Sequence, residues 1–231
     1  MNEVTKKITS DYKPFMGIIC YKEEGENSFY MERRNIENGR FCEGVPMEKE
    51  LFTKIVKAIS AHDDTFDIGM YGAIPQNLLY CDQRFGRNKM VWWRGKEKRM
   101  MLFSESAGIP DGMMSVPGLV YVAEGERLSV YAFKGKKPTN VLYRAPFLNV
   151  DAEHVCLGNA RITYPTERTY ENIMTYWENL FWRSEFVHIL GENPIKGNLT
   201  TITKHCIETG EVFPENQLKK LKDKTLKTLM K

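Results

Sequence analysis

Residues 141–159 read VLYRAPFLNVDAEHVCLGN, and this stretch decides how the rest of the chain is interpreted. An apolar run typical of a strand ends in a proline–aromatic step, and a short polar segment then leads to Cys156. A free cysteine between Val155 and Leu157 is commonly a small core residue. Cys156 also follows a polar turn and precedes Gly158, and irregular backbone of this kind often presents reactive groups. From this stretch alone, Cys156 is either a core residue or a nucleophile.

Three polar residues could act with Cys156. Asn149 lies seven residues upstream, where it either stabilises a turn or directs its amide at a developing oxyanion. His154 is two residues before Cys156, and in an extended segment this spacing places both side chains on the same side, where they could interact. The alternative is that His154 is a solvent-exposed histidine of a turn. His188 is predicted on the apolar stripe of a long helix, as a core histidine or facing the cysteine.

The strands upstream predict an antiparallel sheet. KMVWWRG (89–95) and KRMMLF (98–103) are separated by a charged turn, and SESAGIPDGMMSVPG (104–118) is predicted as a loop. LVYVAEGERLSVYAFKG (119–135) is typical of two strands joined by a tight turn. The second of these strands is apolar at successive positions, so both of its faces are expected to be covered. Short turns between successive strands favour a meander.

The remaining segments complete an α+β layout. Asn38-Gly39 predicts a type I′ hairpin between two early strands, and residues 47–62 are predicted as a helix. A long helix is predicted from an N-cap at Thr166 through His188, with Gly191 and Pro194 after its end. Residues 191–231 are predicted as a linker and a basic helix from about Glu215. The expected domains are residues 1–67, 68–190 and 191–231.

Composition narrows the class of protein. The 231 residues are 42% hydrophobic and carry a net charge of +3, as in an ordinary globular chain. The five cysteines lack a Cys-x-x-Cys pair, and no apolar run has the length of a membrane span, which predicts a reducing, cytoplasmic location and no membrane partner. Six lysines after residue 215 favour a soft electrostatic contact, with nucleic acid an unlikely ligand. No nucleotide-binding glycine loop and no metal-ligand cluster occurs, so neither a cofactor nor a metal is predicted.

A family resemblance rests on four segments of the chain. LYRAPFLNVDAEHVCLG (142–158) followed by WENLFWRSEFVHIL (177–190) resembles prokaryotic E2 family D, also called PRTRC system protein B. MVWWRGKEKRMMLF (90–103) and VPGLVYVAEGERLSVYAFKGKKPTNVLY (116–143) resemble the strands of that family. Its members are bacterial relatives of ubiquitin-conjugating enzymes, encoded in plasmid and mobile-element cassettes.

The resemblance implies an E2-like fold in which Cys156 accepts a ubiquitin-like protein as a thioester. Asn149 matches the asparagine of the His-Pro-Asn motif, although Phe147 and Leu148 stand where the histidine and proline would be. His188 matches the helix histidine of the family, and His154 or His188 is a candidate for proton transfer. The implied partners are an E1/ThiF-like activating protein, a small ubiquitin-like protein and a JAB-type metallopeptidase. The alternative is a catalytically inactive E2-fold module that binds a ubiquitin-like protein or serves as a structural subunit.

Overall fold

The computed structural model describes residues 13–22, 29–60, 69–84, 88–151, 154–158 and 160–231. The chain divides into two compact units, Met1–Ile68 and Gly69–Lys231. The predicted α+β class is confirmed, because the sheets are mostly antiparallel and a few helices accompany them. Among the described residues, no helix has the length and apolar character needed to cross a membrane.

The first unit is a three-stranded antiparallel sheet followed by a helix. Strands β1 (Met16–Lys22), β2 (Phe29–Glu37) and β3 (Arg40–Pro46) pair in chain order, and α1 follows at Lys49–Ser60. Asn38 and Gly39 connect β2 to β3 with φ angles of 50° and 75°. A type I′ turn needs positive φ at both central residues, so the predicted hairpin is confirmed.

The second unit is built on a six-stranded antiparallel sheet. Its strands are β4 (Leu78–Asp82), β5 (Lys89–Arg94), β8 (Gly118–Glu124), β9 (Arg127–Phe133), β10 (Val141–Arg144) and β12 (Lys220–Thr225). The spatial order is β12-β10-β9-β8-β5-β4. Strands β8, β9 and β10 form the predicted meander, and a two-residue turn at Gly125-Glu126 joins β8 to β9.

A smaller sheet is formed by residues that lie mainly between β5 and β8 in the sequence. Strands β6 (Glu97–Phe103) and β7 (Gly112–Val116) pair with each other, and the short β11 (Glu185–Phe186) adds to β6 in parallel. The prediction of a loop over residues 104–118 is therefore wrong at residues 112–116. Asp111 and Pro117 are turn-forming residues on either side of this short strand, and their presence is why the sequence pattern predicted a loop. Strand β5 pairs with β8 instead of its sequence neighbour β6.

The core lies on both faces of the main sheet, as predicted for β9. Leu128, Val130 and Ala132 belong to a large cluster that also contains the buried face of the helix α2 (Tyr170–Trp182). Tyr131 and Phe133 belong to a second cluster on the other face. Alternate residues of a strand point to opposite faces, so one strand supplies both clusters.

Helix α2 is shorter than the sequence predicts. It begins after Thr169, whose hydroxyl accepts a hydrogen bond from the Asn172 N–H, and it ends at Trp182. The predicted limits at Thr166 and His188 are therefore wrong. The apolar periodicity continues past Trp182, but there Phe186 is buried and pairs with β6 in an extended conformation. Where the sequence predicted the last turns of the helix, Glu185 and Phe186 instead form a strand that pairs with β6.

The C-terminal region also differs from its prediction. The helix α3 (Leu199–Thr209) occupies the predicted linker, with Asn198 as its N-cap and Gly210 after its end. The basic helix predicted from Glu215 is wrong, because residues 220–225 form β12 against β10, and α4 is only Leu226–Leu229. Residues 220–225 are a strand because their backbone pairs with β10, and this long-range pairing cannot be predicted from the local charge pattern.

Candidate functional site

The segment that carries Cys156 is a fixed loop at the edge of the core. An antiparallel bridge joins Val150 to Val155, and the Cys156 N–H donates to the Asn149 carbonyl at 2.8 Å. The Val155 N–H donates to the Leu128 carbonyl of β9, also at 2.8 Å. Cys156 itself is exposed. The backbone that leads up to the cysteine, including the Cys156 N–H, is thus anchored, while Cys156 remains open to solvent.

Asn149 anchors the beginning of this loop. It is 7% exposed and has a φ of 59°, a left-handed conformation that asparagine tolerates better than most residues. Its side-chain Nδ2 donates to the Glu185 carbonyl at 2.7 Å, and its Oδ1 accepts from the Val187 N–H at 3.0 Å. Its backbone N–H donates to the His188 carbonyl at 2.9 Å. In this arrangement Asn149 makes the contacts of a residue that stabilises the loop.

His188 reaches this site through its backbone. It lies after β11 and outside α2, so its predicted place on the apolar stripe of a helix is wrong. The residue is exposed, and its N–H and carbonyl both bond to Asn149, at 3.4 Å and 2.9 Å. The change follows from the early end of α2, which leaves Val187 and His188 outside the helix and bonded to Asn149 at the start of the cysteine loop.

His154 lies at the exposed side of the same loop. Its backbone N–H donates to Asp151 Oδ1 at 2.7 Å, and its Nδ1 lies 3.4 Å from Asp151 Oδ2. The Asp151 N–H donates in return to the His154 carbonyl at 3.1 Å. His154 is therefore paired with an acidic neighbour, a partner that its spacing from Cys156 did not suggest. Ala152 and Glu153, between the two residues, lie outside the described residues.

An aromatic cluster in the core packs against Phe147, two residues before the start of the loop at Asn149. Phe147 is buried, and its ring centroid lies 5.6 Å from Phe181, 5.3 Å from Trp182 and 6.2 Å from Phe186. The contacts with Phe181 and Trp182 are edge-to-face, a favourable geometry for aromatic pairs. Sequence reasoning did not assign this role to Phe147. The signal is the aromatic residue directly after Pro146, which places a large ring at the start of the irregular segment.

Two shallow grooves flank the cysteine loop. One is mainly apolar and runs along α2; it is lined by Leu157, Ala160, Tyr176, Asn179, Leu180, Arg183 and Ser184. The other lies beside the β8–β9 turn and includes Arg127, Leu128, His154 and Gly158. Leu157 and Ala160 line both grooves, so the two meet at the residues that follow Cys156.

Metal ligation has no support in the described part of the chain. No three His, Cys, Asp or Glu side chains are grouped there in a way that could hold a metal ion. The chemistry available at the loop is that of an exposed thiol, a histidine–aspartate pair and backbone amides. A thiolate is intrinsically nucleophilic, and acyl transfer to it needs no metal.

Comparison with known proteins identifies the family. No match was found among curated proteins or among solved structures. The family model of prokaryotic E2 family D matches residues 52–221, which is well over half of the chain. The matched range contains Asn149, His154, Cys156 and His188, and it extends into β12. With an exposed cysteine on an anchored loop in an α+β fold, this chain belongs to prokaryotic E2 family D and contains an E2-like module.

Proposed function

We propose that this protein is a carrier of a ubiquitin-like protein, which it accepts from an E1/ThiF-like enzyme as a thioester on Cys156. The observation that carries the proposal is the exposed Cys156 in a loop anchored by Asn149 and by the carbonyl of Leu128. An acyl carrier needs an accessible thiol in backbone that does not collapse into the core. Membership of prokaryotic E2 family D supports the same assignment.

The proposed reaction is a transthiolation. The Cys156 thiolate attacks the thioester carbonyl of the modifier, a new C–S bond forms, and the sulfur of the activating enzyme leaves with the electron pair of the old bond. Asn149 holds the loop, because its amide is bonded to Glu185 and Val187. His154, beside Asp151 on the exposed side of the loop, is the proposed proton acceptor when an amine later attacks. The exposed His188 is a second proposed proton acceptor.

The proposed setting is a bacterial plasmid or mobile-element cassette of the PRTRC type, acting in the cytoplasm. Its support is the family together with the four segments that resemble PRTRC system protein B. A JAB-type peptidase acting on the same modifier is the remaining proposed partner. Genes for a ThiF-like enzyme and a small ubiquitin-like protein beside this one would agree with the setting, and a neighbourhood that lacks both would contradict it.

The activity test uses the neighbouring E1-like enzyme, ATP and the ubiquitin-like protein. We expect a conjugate on a non-reducing gel that disappears with a thiol reductant and is absent from Cys156→Ala. Cys20→Ala is the matched control, because Cys20 is also an exposed cysteine but lies on β1. Its conjugate should be as strong as that of the wild type. A conjugate that survives in Cys156→Ala would contradict the assignment of the nucleophile.

A second candidate function is non-catalytic binding of the ubiquitin-like protein. The observation that favours it is the environment of Asn149: Phe147 and Leu148 are buried apolar residues, and the asparagine amide is already bonded to the backbone of Glu185 and Val187. Saturable binding of the labelled modifier to wild type, without any reductant-sensitive conjugate, would establish this alternative. A conjugate that forms within minutes would exclude it.

A further inference from the structure

The cysteine loop carries three polar side chains on its outer side. Val150 forms an antiparallel bridge with Val155, and the Asp151 N–H donates to the His154 carbonyl at 3.1 Å. Alternate residues of an extended segment point to opposite sides, and residues paired across two segments share a side. Because Val150 and Val155 are only 2% and 5% exposed, their side chains face the core. Asp151, His154 and Cys156 therefore lie together on the side away from the core.

Water can reach all three of these side chains. Cys156 is exposed, and the side chains of His154 and Asp151 are 54% and 29% exposed. His154 also lines the shallow groove of about 390 Å³ that continues to Leu157 and Gly158. A water molecule therefore has room beside the imidazole without displacing any part of the loop.

Asp151 orients the imidazole of His154. Its Oδ2 lies 3.4 Å from His154 Nδ1, and its Oδ1 accepts from the His154 backbone N–H at 2.7 Å. A carboxylate beside Nδ1 favours the tautomer that carries its hydrogen on that nitrogen, which leaves Nε2 as a proton acceptor. A cysteine, a histidine and an orienting carboxylate are the groups with which many hydrolases perform acyl transfer to water.

We propose that this protein also hydrolyses the thioester on Cys156, with His154 as the general base and Asp151 as a positioning residue. This inference rests on the proposed role of Cys156 as the carrier of the modifier. A lone pair of the water oxygen forms a C–O bond with the thioester carbonyl while His154 Nε2 takes one proton of the water. The C–S bond breaks, its electron pair leaves with the Cys156 sulfur, and the proton passes from His154 to that sulfur. The modifier is released as a carboxylic acid, which ionises in water.

The exposure of the His154–Asp151 pair favours water as the nucleophile when no acceptor is bound. An acceptor amine must be positioned at the thioester by the polypeptide that carries it, whereas water reaches the groove beside His154 without a binding step. Hydrolysis therefore limits the lifetime of a loaded chain that has met no acceptor.

The test loads Cys156 without the E1-like enzyme. A short peptide of alanine and glycine with a C-terminal mercaptoethanesulfonate thioester acylates the purified chain, and the excess peptide is removed. Mass spectrometry then follows the loss of the acyl group at neutral pH, and peptide mapping separates Cys156 from the exposed Cys20. We expect His154→Gln to slow hydrolysis at least about tenfold. Asp151→Asn keeps an acceptor for the His154 N–H but loses the charge, so it should slow hydrolysis about two- to fivefold.

Two controls separate base catalysis from a change in the loop. His205→Gln should hydrolyse at the wild-type rate, because His205 is an exposed histidine of α3 whose Nε2 also faces a carboxylate, that of Glu211 at 3.3 Å. Hydroxylamine is unprotonated at neutral pH and attacks a thioester without a base. Every chain should therefore release its acyl group to hydroxylamine at the same rate.

Three results would overturn the inference. They are failure of the peptide thioester to acylate Cys156, an unchanged rate of hydrolysis in His154→Gln, and an equal slowing of hydrolysis and hydroxylamine release in that variant. The E1-dependent conjugate tests the carrier function separately. If that conjugate is absent while the acyl peptide is hydrolysed through His154, the carrier function is wrong and the hydrolytic activity stands.

Discussion

At the residue scale, Asn149 shows how one side chain determines the position of the site. Its left-handed backbone turns the chain after the apolar stretch, and its side chain bonds to the backbone of Glu185 in β11 and of Val187 directly after it. The sequence identifies Asn149 as a turn residue or an oxyanion donor. Only the structure shows that the contact partners are backbone groups of Glu185 and Val187, more than thirty residues away.

Two substitutions separate the contributions of Asn149. Asn149→Ala loses the side-chain hydrogen bonds and adds left-handed strain, so we expect a loss of about 3 kcal/mol in the free energy of unfolding. Asn149→Gly removes the same bonds but tolerates the positive φ, and its loss should be about 1 kcal/mol smaller. Urea unfolding measures both values. Equal stability of the two variants would show that the left-handed backbone carries no penalty.

A buried carboxylate provides the second prediction at this scale. Glu178 on α2 is 4% exposed and accepts hydrogen bonds from Trp92 at 2.9 Å, Arg94 at 2.7 Å and Arg99 at 3.0 Å. Removing it leaves two arginines without this carboxylate, so Glu178→Ala should lower the free energy of unfolding by about 3–5 kcal/mol.

Glu171 is the matched control for Glu178. Its carboxylate also accepts from Arg94, at 2.7 Å, but its side chain is 53% exposed. Glu171→Ala should therefore cost less than about 1 kcal/mol, because an exposed ion pair is screened by solvent. Thermal unfolding of both variants decides the matter, and similar losses would show that burial does not set the strength of this network.

At the element scale, β12 changes the meaning of the lysine-rich C-terminus. Lys220 and Lys222 are exposed on the outer strand of the main sheet, where charged residues discourage pairing with another sheet edge. Leu221, Leu226 and Leu229 of the same segment pack with the second core cluster. The segment is thus an integral part of the sheet and cannot be treated as a solvated tail.

Deleting residues 220–231 should consequently destabilise the protein. Losing three packed leucines and a strand ladder should cost about 3–6 kcal/mol, measured by thermal or urea unfolding. The double variant Lys220→Ser, Lys222→Ser keeps the strand and should change stability by less than about 1 kcal/mol. A deletion as stable as the wild type would contradict this role. Any test for nucleic-acid binding by this region should therefore use the lysine substitutions.

At the scale of the whole molecule, the second unit contains its own core. Both core clusters are formed by residues between Met70 and Leu229. A chain of residues 69–231 should therefore unfold in one cooperative transition. Gradual loss of signal on heating, with binding of a hydrophobic dye at room temperature, would show that the unit depends on the preceding residues.

Thiol labelling gives the same fragment an internal control. Cys206 is 1% exposed, and burial, followed by the charge of Glu211, raises the pKa of its thiol. A raised pKa leaves less thiolate at pH 7.5, so Cys206 should react slowly with iodoacetamide in the folded fragment. Exposed Cys156 should react first, as followed by mass spectrometry. Equal rates would indicate that the core is open.

The sequence by itself determined the elements that depend on local pattern. Asn38-Gly39 predicted its hairpin because few residues accept two positive φ angles, and the apolar residues at successive positions of β9 predicted a strand with both faces covered. The motif around Asn149 and Cys156 indicated the family without any structure. These features depend on residues close together in the chain, where spacing and side-chain chemistry carry the information.

Only the tertiary structure decided which elements meet. It ends α2 at Trp182 because Phe186 is buried beside β6, it places β5 next to β8, and it turns the lysine-rich end into β12. It also brings the backbone of His188 to Asn149 and places Arg127 beside the cysteine loop. Helix periodicity and charge pattern are local, whereas strand pairing and burial depend on contacts between residues far apart in the chain.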